Sequence, residues 1–242
     1  MPEFAAWQWG LGVFCAFMVG VAKTGVPAAG TPIAPLMVLL VGDARLAAGH
    51  LLPMLCVGDL FAVAYWRRHA HVNQLLRLAP WVLAGLALGA AALALDEGVL
   101  RKMVGFIVLA MLLLFVRNRQ RKEESPAPLH PAPYGVTAGF ATTVANAAGS
   151  VMNLYLLGMR LPKLEFVGTA AWFFFVINLA KTPVYAAHGL FSPASLVFDA
   201  IMVPPVIGGA ITGRWLIQHI PQRAFEVIVM ALTLAAAILL FR

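Results

Sequence analysis

The sequence predicts an all-α integral membrane protein: six full transmembrane helices plus two broken or re-entrant segments, about eight hydrophobic segments in two inverted repeats. Three observations predict it. The 242 residues are 62% apolar and 11% charged, against roughly 45–50% and about 25% in soluble domains, so no polar shell can cover a core of this size. The apolar residues gather in runs of about 20, the length that crosses a bilayer. The net charge of +7 lies in short clusters between those runs, which is how cytoplasmic loops are marked. Soluble enzymes, DNA-binding domains and secreted disulfide scaffolds fit poorly. Cys15 and Cys56 both lie in apolar stretches, which offers neither a disulfide framework nor a metal-ligand spacing.

Taken in order, the first segment covers about 4–41. It opens with Phe4–Ala22, breaks at Lys23-Thr-Gly-Val-Pro-Ala-Ala-Gly-Thr-Pro32 and resumes to Val41. Met1-Pro-Glu-Phe has no basic n-region, so Phe4–Ala22 is expected to be retained rather than cleaved as a signal peptide. Full spans follow at Leu46–Trp66, Leu75–Leu95 and Gly98–Val116. Residues 118–133 are polar and proline-rich, the composition of a linker, and are placed in the cytoplasm. The second interrupted segment, 134–159, breaks at Thr142-Thr-Val-Ala-Asn-Ala-Ala-Gly-Ser150. Spans at Leu164–Ala186, Ala194–Gly213 and Ala224–Phe241 complete the chain. The division is thus an N-terminal repeat over 1–117, the linker, and a C-terminal repeat over 134–242.

Sliding the chain by 119 residues places Gly20–His69 on Gly139–His188, with ten of fifty positions identical. The two breaks superpose, Ala28-Ala-Gly-Thr31 on Ala147-Ala-Gly-Ser150, and Asp59 falls on Asn178. Charge decides the relative orientation. If 134–159 crosses once, the loop Lys and Arg residues divide eight inside and seven outside, which is no bias. If it dips in and returns, they divide eleven to four, as the positive-inside rule requires. Some 26 residues are also too few for two crossings. Residues 134–159 are therefore expected to form a re-entrant hairpin, and 4–41 another from the opposite face, the inverted plan of many secondary transporters.

The two breaks carry the candidate chemistry. Unwound backbone at membrane depth needs protein or a watery cavity around it, and each half-helix after a break aims bare N–H groups at the tip. Two tips meeting near the midplane would favour an anion. Thr24, Gly25, Gly30 and Thr31 at the first, and Thr142, Thr143, Asn146, Gly149, Ser150 and Asn153 at the second, would supply donors and room. Close helix packing is the plainer reading of such small residues, although it does not call for Lys, Thr and Asn beside them. Lys23 and Lys181 are the basic residues expected away from both surfaces, where a cation is costly and faces a partner or a pathway. Asp59, two-thirds along its span, suits either a proton-coupling carboxylate or a fixed partner of one of those lysines. Asn178 is its counterpart in the second repeat. His50 and Glu165 fall near span ends, where an interfacial, solvated role is expected, and His69 and His188 flank spans. Gly85-x-x-x-Gly89 and Gly209-x-x-x-Gly213 fit helix packing. Trp172-Phe-Phe-Phe175 is expected to face lipid or core. The motifs of intramembrane proteases, lipases and P-loop pumps are missing.

At these residues the chain resembles the sulfite exporter TauE/SafE family of membrane transporters. Gly20-Val-Ala-Lys-Thr-Gly-Val-Pro-Ala-Ala-Gly30 is similar to that family's lysine- and glycine-rich first motif. The second half is closer, through Gly139-Phe-Ala-Thr-Thr-Val-Ala-Asn-Ala-Ala-Gly149, then Leu161-Pro-Lys-Leu-Glu-Phe-Val-Gly-Thr169, then Trp172 to Asn178, Lys181, Pro183 and Tyr185. The sequence differs in having Ala28, Ala29, Ala147 and Ala148 where the family often has glycine. The resemblance implies movement of a small anion, sulfite or an organosulfur compound such as a sulfonate, across a bacterial-type cytoplasmic membrane. The expected partners are that anion and the bilayer, with protons as a candidate coupling ion and a homo-oligomer as an option. No cofactor, metal or nucleic acid is expected. An anion channel, or a non-transporting subunit of a larger assembly, would be the alternatives to a carrier.

Overall fold

Long apolar runs fold as helices in a bilayer because each backbone group then finds its partner inside its own segment. The computed structural model describes residues 4–30, 32–92, 96–120, 130–145 and 147–241. Among these residues the chain is all-helical: α1 (Ala6–Thr24), α2 (Ile33–Val41), α3 (Ala44–Trp66), α4 (Val72–Ala92), α5 (Glu97–Gln120), α6 (Pro131–Ala145), α7 (Ala148–Gly158), α8 (Lys163–Ala187), α9 (Pro193–His219) and α10 (Gln222–Leu239). Six of them, α3, α4, α5, α8, α9 and α10, are long and apolar enough to cross a membrane, and they lie on the six expected spans. The main difference is α9, which runs six residues past Gly213. Arg214, the first residue beyond the expected span, lies with its guanidinium 4.6 Å from the Tyr65 ring, so its charge is accommodated and the helix continues.

The chain divides into two compact units, each drawing on both halves of the sequence. The first comprises 1–70 and 163–225, the second 71–162 and 226–242.

In the first unit, α1 and α2 form a hairpin. Gln8 Nε2, at the start of α1, donates to the Leu40 carbonyl near the end of α2 at 2.7 Å. A 3-10 turn, Pro27–Gly30, sits in the break. Cys15, Ala16 and Val19 of α1, Met37 and Leu40 of α2, Leu51 and Met54 of α3, and Phe198, Met202 and Val206 of α9 make one buried core. Helix α1 runs parallel to α9 at backbone contact: a Cβ on Gly20 would strike the Val206 carbonyl, one on Gly209 the Phe17 carbonyl, and one on Gly213 the Thr24 hydroxyl. Helices α3 and α8 run antiparallel. Gly49, early in α3, abuts the Leu190 carbonyl beyond the end of α8, while Gly168, early in α8, abuts the Trp66 carbonyl at the end of α3.

The second unit is built on the same contacts. Helix α6 runs parallel to α4, with Gly139 against the Val82 carbonyl, Gly85 against the Val136 carbonyl, and Gly89 against Thr143. Phe17 and Val136, Gly20 and Gly139, and Thr24 and Thr143 are each 119 positions apart. Their glycine partners on α9 and α4 are 124 apart. Gly85-x-x-x-Gly89 and Gly209-x-x-x-Gly213 thus do the packing work read from sequence, since only a hydrogen at Cα lets helix backbones approach so closely. Helices α6 and α7 also turn back on each other, bringing the Tyr134 and Tyr155 rings to 5.2 Å.

Candidate functional site

The first break is fixed by glycine. Helix α1 ends at Thr24, and Gly25 caps it through an N–H bond to Val21 O at 2.9 Å. A side chain at Gly25 would come within 2.6 Å of the Gly213 carbonyl, so Gly25 is a packing residue of the α1–α9 seam. Thr24 belongs to the same seam. Its hydroxyl is fully buried and faces Gly20 O at 3.0 Å and Ala210 O at 2.7 Å, while its carbonyl accepts from Trp66 Nε1 at 2.9 Å. Gly30 ends the 3-10 turn, and a Cβ there would meet Ala22 at ordinary contact distance, 3.4 Å. Thr31 lies outside the described residues.

Lys23 occupies the last turn of α1, and its stem crosses α3 where Gly58 leaves room, a Cβ there lying 2.9 Å from Lys23 Cγ. The ammonium reaches Asp59 Oδ1 at 2.7 Å and sits 4.7 Å from the centre of the Phe174 ring. Asp59 is completely buried, and its other oxygen accepts from Asn178 Nδ2 at 2.7 Å. The carboxylate is therefore held from both sides, by α1 and by α8. Lys181 lies one turn after Asn178 on the same face of α8 and is partly buried. Thr182 closes the group, donating to Asn178 O at 3.0 Å. Three of the residues singled out from sequence, Lys23, Asp59 and Asn178, thus bond in one cluster, and Lys181 follows Asn178 by one turn of α8.

The second break is shorter than expected. Helix α6 continues through Thr142 and Thr143 to Ala145, and α7 begins at Ala148, because Thr143 satisfies its hydroxyl within the helix on Gly139 O at 3.0 Å. Ala147, the N-cap of α7, offers no side-chain cap, and its own N–H bonds Ala141 O at 3.0 Å. Gly149 and Ser150 lie in the first turn of α7. Ser150, Asn153 and Thr142 are buried. Asn153 Nδ2 faces Thr233 Oγ1 at 3.5 Å, and its Oδ1 is buried without a hydrogen-bond partner among the described residues. Asn146 lies outside the described residues.

Two features escaped the sequence reading. Phe174, placed in a lipid or core stretch, supplies the ring beneath Lys23. His50, placed at a solvated span end, is instead buried, with Nδ1 3.4 Å from Asp199 Oδ1. Nothing marked Asp199, since its partner lies 149 residues away.

With this geometry in hand, the comparison with known families is decisive. The model of the sulfite exporter TauE/SafE family matches residues 10–240. The chain belongs to the TauE/SafE family. No curated protein and no solved structure matches it. This TauE/SafE protein is therefore a multi-pass membrane protein of a sulfite-transporter family. The match spans both broken segments and all six long apolar helices, so the Lys23 cluster lies within the region common to the family.

Proposed function

We propose that this TauE/SafE protein is a secondary carrier that exports a small anion, sulfite or a sulfonate or another organosulfur or organic anion, across a bacterial-type cytoplasmic membrane by alternating access. The observation that carries the reading is the Lys23–Asp59–Asn178 cluster with Lys181 beside it, at the end of a broken helix. Ionisable groups inside a membrane are costly and are kept where they face a partner or a pathway. Here Lys23 is neutralised by Asp59, and Lys181, one turn along α8 from Asn178, adds a second cation to the same stretch of the helix. The second break, with Thr142, Thr143, Asn146, Gly149, Ser150 and Asn153, takes the corresponding role in its own repeat.

The inverted arrangement rests on three supports. The α1–α9 and α6–α4 seams use the same residues at a constant offset. Asp59 and Asn178, 119 apart, bond to each other, as equivalent residues do beside a two-fold axis. Helices α3 and α8 carry those residues and are antiparallel, which supports an axis running across the helices, the in-plane axis of inverted repeats. Energetically, a monoanion leaving a cell with a negative interior gains about 2.3 kcal/mol per 100 mV, enough to drive export without another ion.

The test is counterflow in proteoliposomes with labelled sulfite, a sulfonate and a small carboxylate. Saturable counterflow of at least one is expected. A charge-assisted contact contributes about 1.5–3 kcal/mol, so Lys181→Met should lower the rate by roughly tenfold or more. Absence of counterflow with every anion, or a wild-type rate in Lys181→Met, would overturn the reading.

A further inference from the structure

A second pair of ionisable side chains is buried in the first unit, apart from the Lys23 cluster. His50 is the seventh residue of α3 and Asp199 the seventh of α9, so each lies about 10 Å, or two turns, into its helix. Their side chains are 10% and 4% exposed, with His50 Nδ1 3.4 Å from Asp199 Oδ1. Asp199 Oδ2 is buried and has no hydrogen-bond partner among the described residues. Aromatic rings fix the imidazole, Phe198 edge-on at 5.3 Å and Phe4 at 6.2 Å.

We propose that His50 and Asp199 form the proton-binding site through which pH acts on transport, a role that Asp59 does not fill. This rests on the carrier reading above. Asp59 has one oxygen on the Lys23 ammonium and the other on the Asn178 amide, so a proton arriving there would have to break a tight ion pair. Asp199 has one oxygen with no hydrogen-bond partner among the described residues, and the other faces a histidine, whose ring nitrogens can lose or gain a proton without breaking a lysine ion pair. With His50 protonated, the pair is an ion pair that draws α3 and α9 together. With His50 neutral, the attraction falls and an unpaired carboxylate remains, which favours separation of the two helices or a proton on Oδ2. The signal has a physical route, because α3 carries both His50 and Asp59, and Asp59 holds Lys23.

Other titratable groups near the pair are few among the described residues. Helix α1 contributes the buried thiol of Cys15, and α2 contributes none. Just beyond α8 the Leu190 carbonyl abuts Gly49 of α3, and the ionisable residues on that stretch are Tyr185 and His188, whose Nδ1 lies 2.8 Å from Val184 O. The first turns of α3 bring Asp43, which caps the helix on Leu46 N, and Arg45. No described carboxylate or lysine stands between His50 and Asp199.

The experiment measures sulfite transport in proteoliposomes in two modes, counterflow at equal pH and net flux under a pH gradient, for wild type, His50→Gln and Asp199→Asn. Sulfite itself titrates near neutral pH, so the readout is the difference between wild type and variants. The variants should keep counterflow while losing about tenfold of the gradient's acceleration, within the usual range of coupling. A gradient response equal in wild type and variants would overturn the proposal and leave the carrier reading intact. No counterflow in wild type would overturn the carrier reading itself. If neither variant folds, the wild type decides: net flux that follows the gradient no more than free sulfite equilibrium requires would also overturn the proposal.

Discussion

Replacing Asp59 with Asn strips Lys23 of its counter-ion while keeping the shape of the site. Breaking a buried pair by removing one partner costs about 3–5 kcal/mol. Lys23 retains the Phe174 ring at 4.7 Å, a contact that contributes about 2 kcal/mol when desolvated. The net expectation is a loss of about 3 kcal/mol, or roughly 6–12 °C in apparent Tm for a chain of this length. Lys23→Met alone should cost a similar amount, since it leaves Asp59 fully buried with only the Asn178 amide. The double variant removes both charges, and a buried pair replaced by neutral groups is often tolerated without loss. Thermal unfolding of the detergent-purified protein, followed by tryptophan fluorescence, measures all three. Single variants as stable as wild type, or a double variant that loses the sum of the two, would refute the reasoning.

Two further predictions concern the helix seams. Gly209→Ala and Gly85→Ala each drive a methyl into a backbone carbonyl, of Phe17 and of Val136 respectively. Each should cost at least about 1–3 kcal/mol, the usual penalty of overpacking, and thermal unfolding should show similar losses because the two seams are built alike. Trp66→Phe removes the buried bond to the Thr24 carbonyl. It should lower stability by about 1–3 kcal/mol for the unsatisfied acceptor, by the same measurement.

The six spans were legible because hydropathy and length alone decide whether a segment can cross a bilayer. Asp59 and Asn178, singled out from sequence by their 119-residue offset, are joined by a 2.7 Å hydrogen bond. Small residues were harder to read, because glycine and threonine at a break look alike whether they wait for a ligand or seat a neighbouring helix. At Gly25 and Thr24 the neighbour is α9. The second break narrowed for a local reason: a threonine hydroxyl that bonds back four residues removes its own objection to the helix. His50 and Asp199 could not be paired from sequence, since each is a lone polar residue in an apolar run and contact across 149 positions leaves no local signature.

The account depends on the two halves of the chain pointing in opposite directions. Single cysteines placed by Ser192→Cys and His71→Cys, in a background lacking Cys15 and Cys56, test this with a membrane-impermeant maleimide on intact cells. The first residue follows α8 and the second follows α3, and the antiparallel packing of those helices puts the two positions on opposite faces. Labelling of the Ser192 site from outside, with the His71 site reached only after the membrane is opened, is the predicted result. Labelling of both from one side would contradict the inversion.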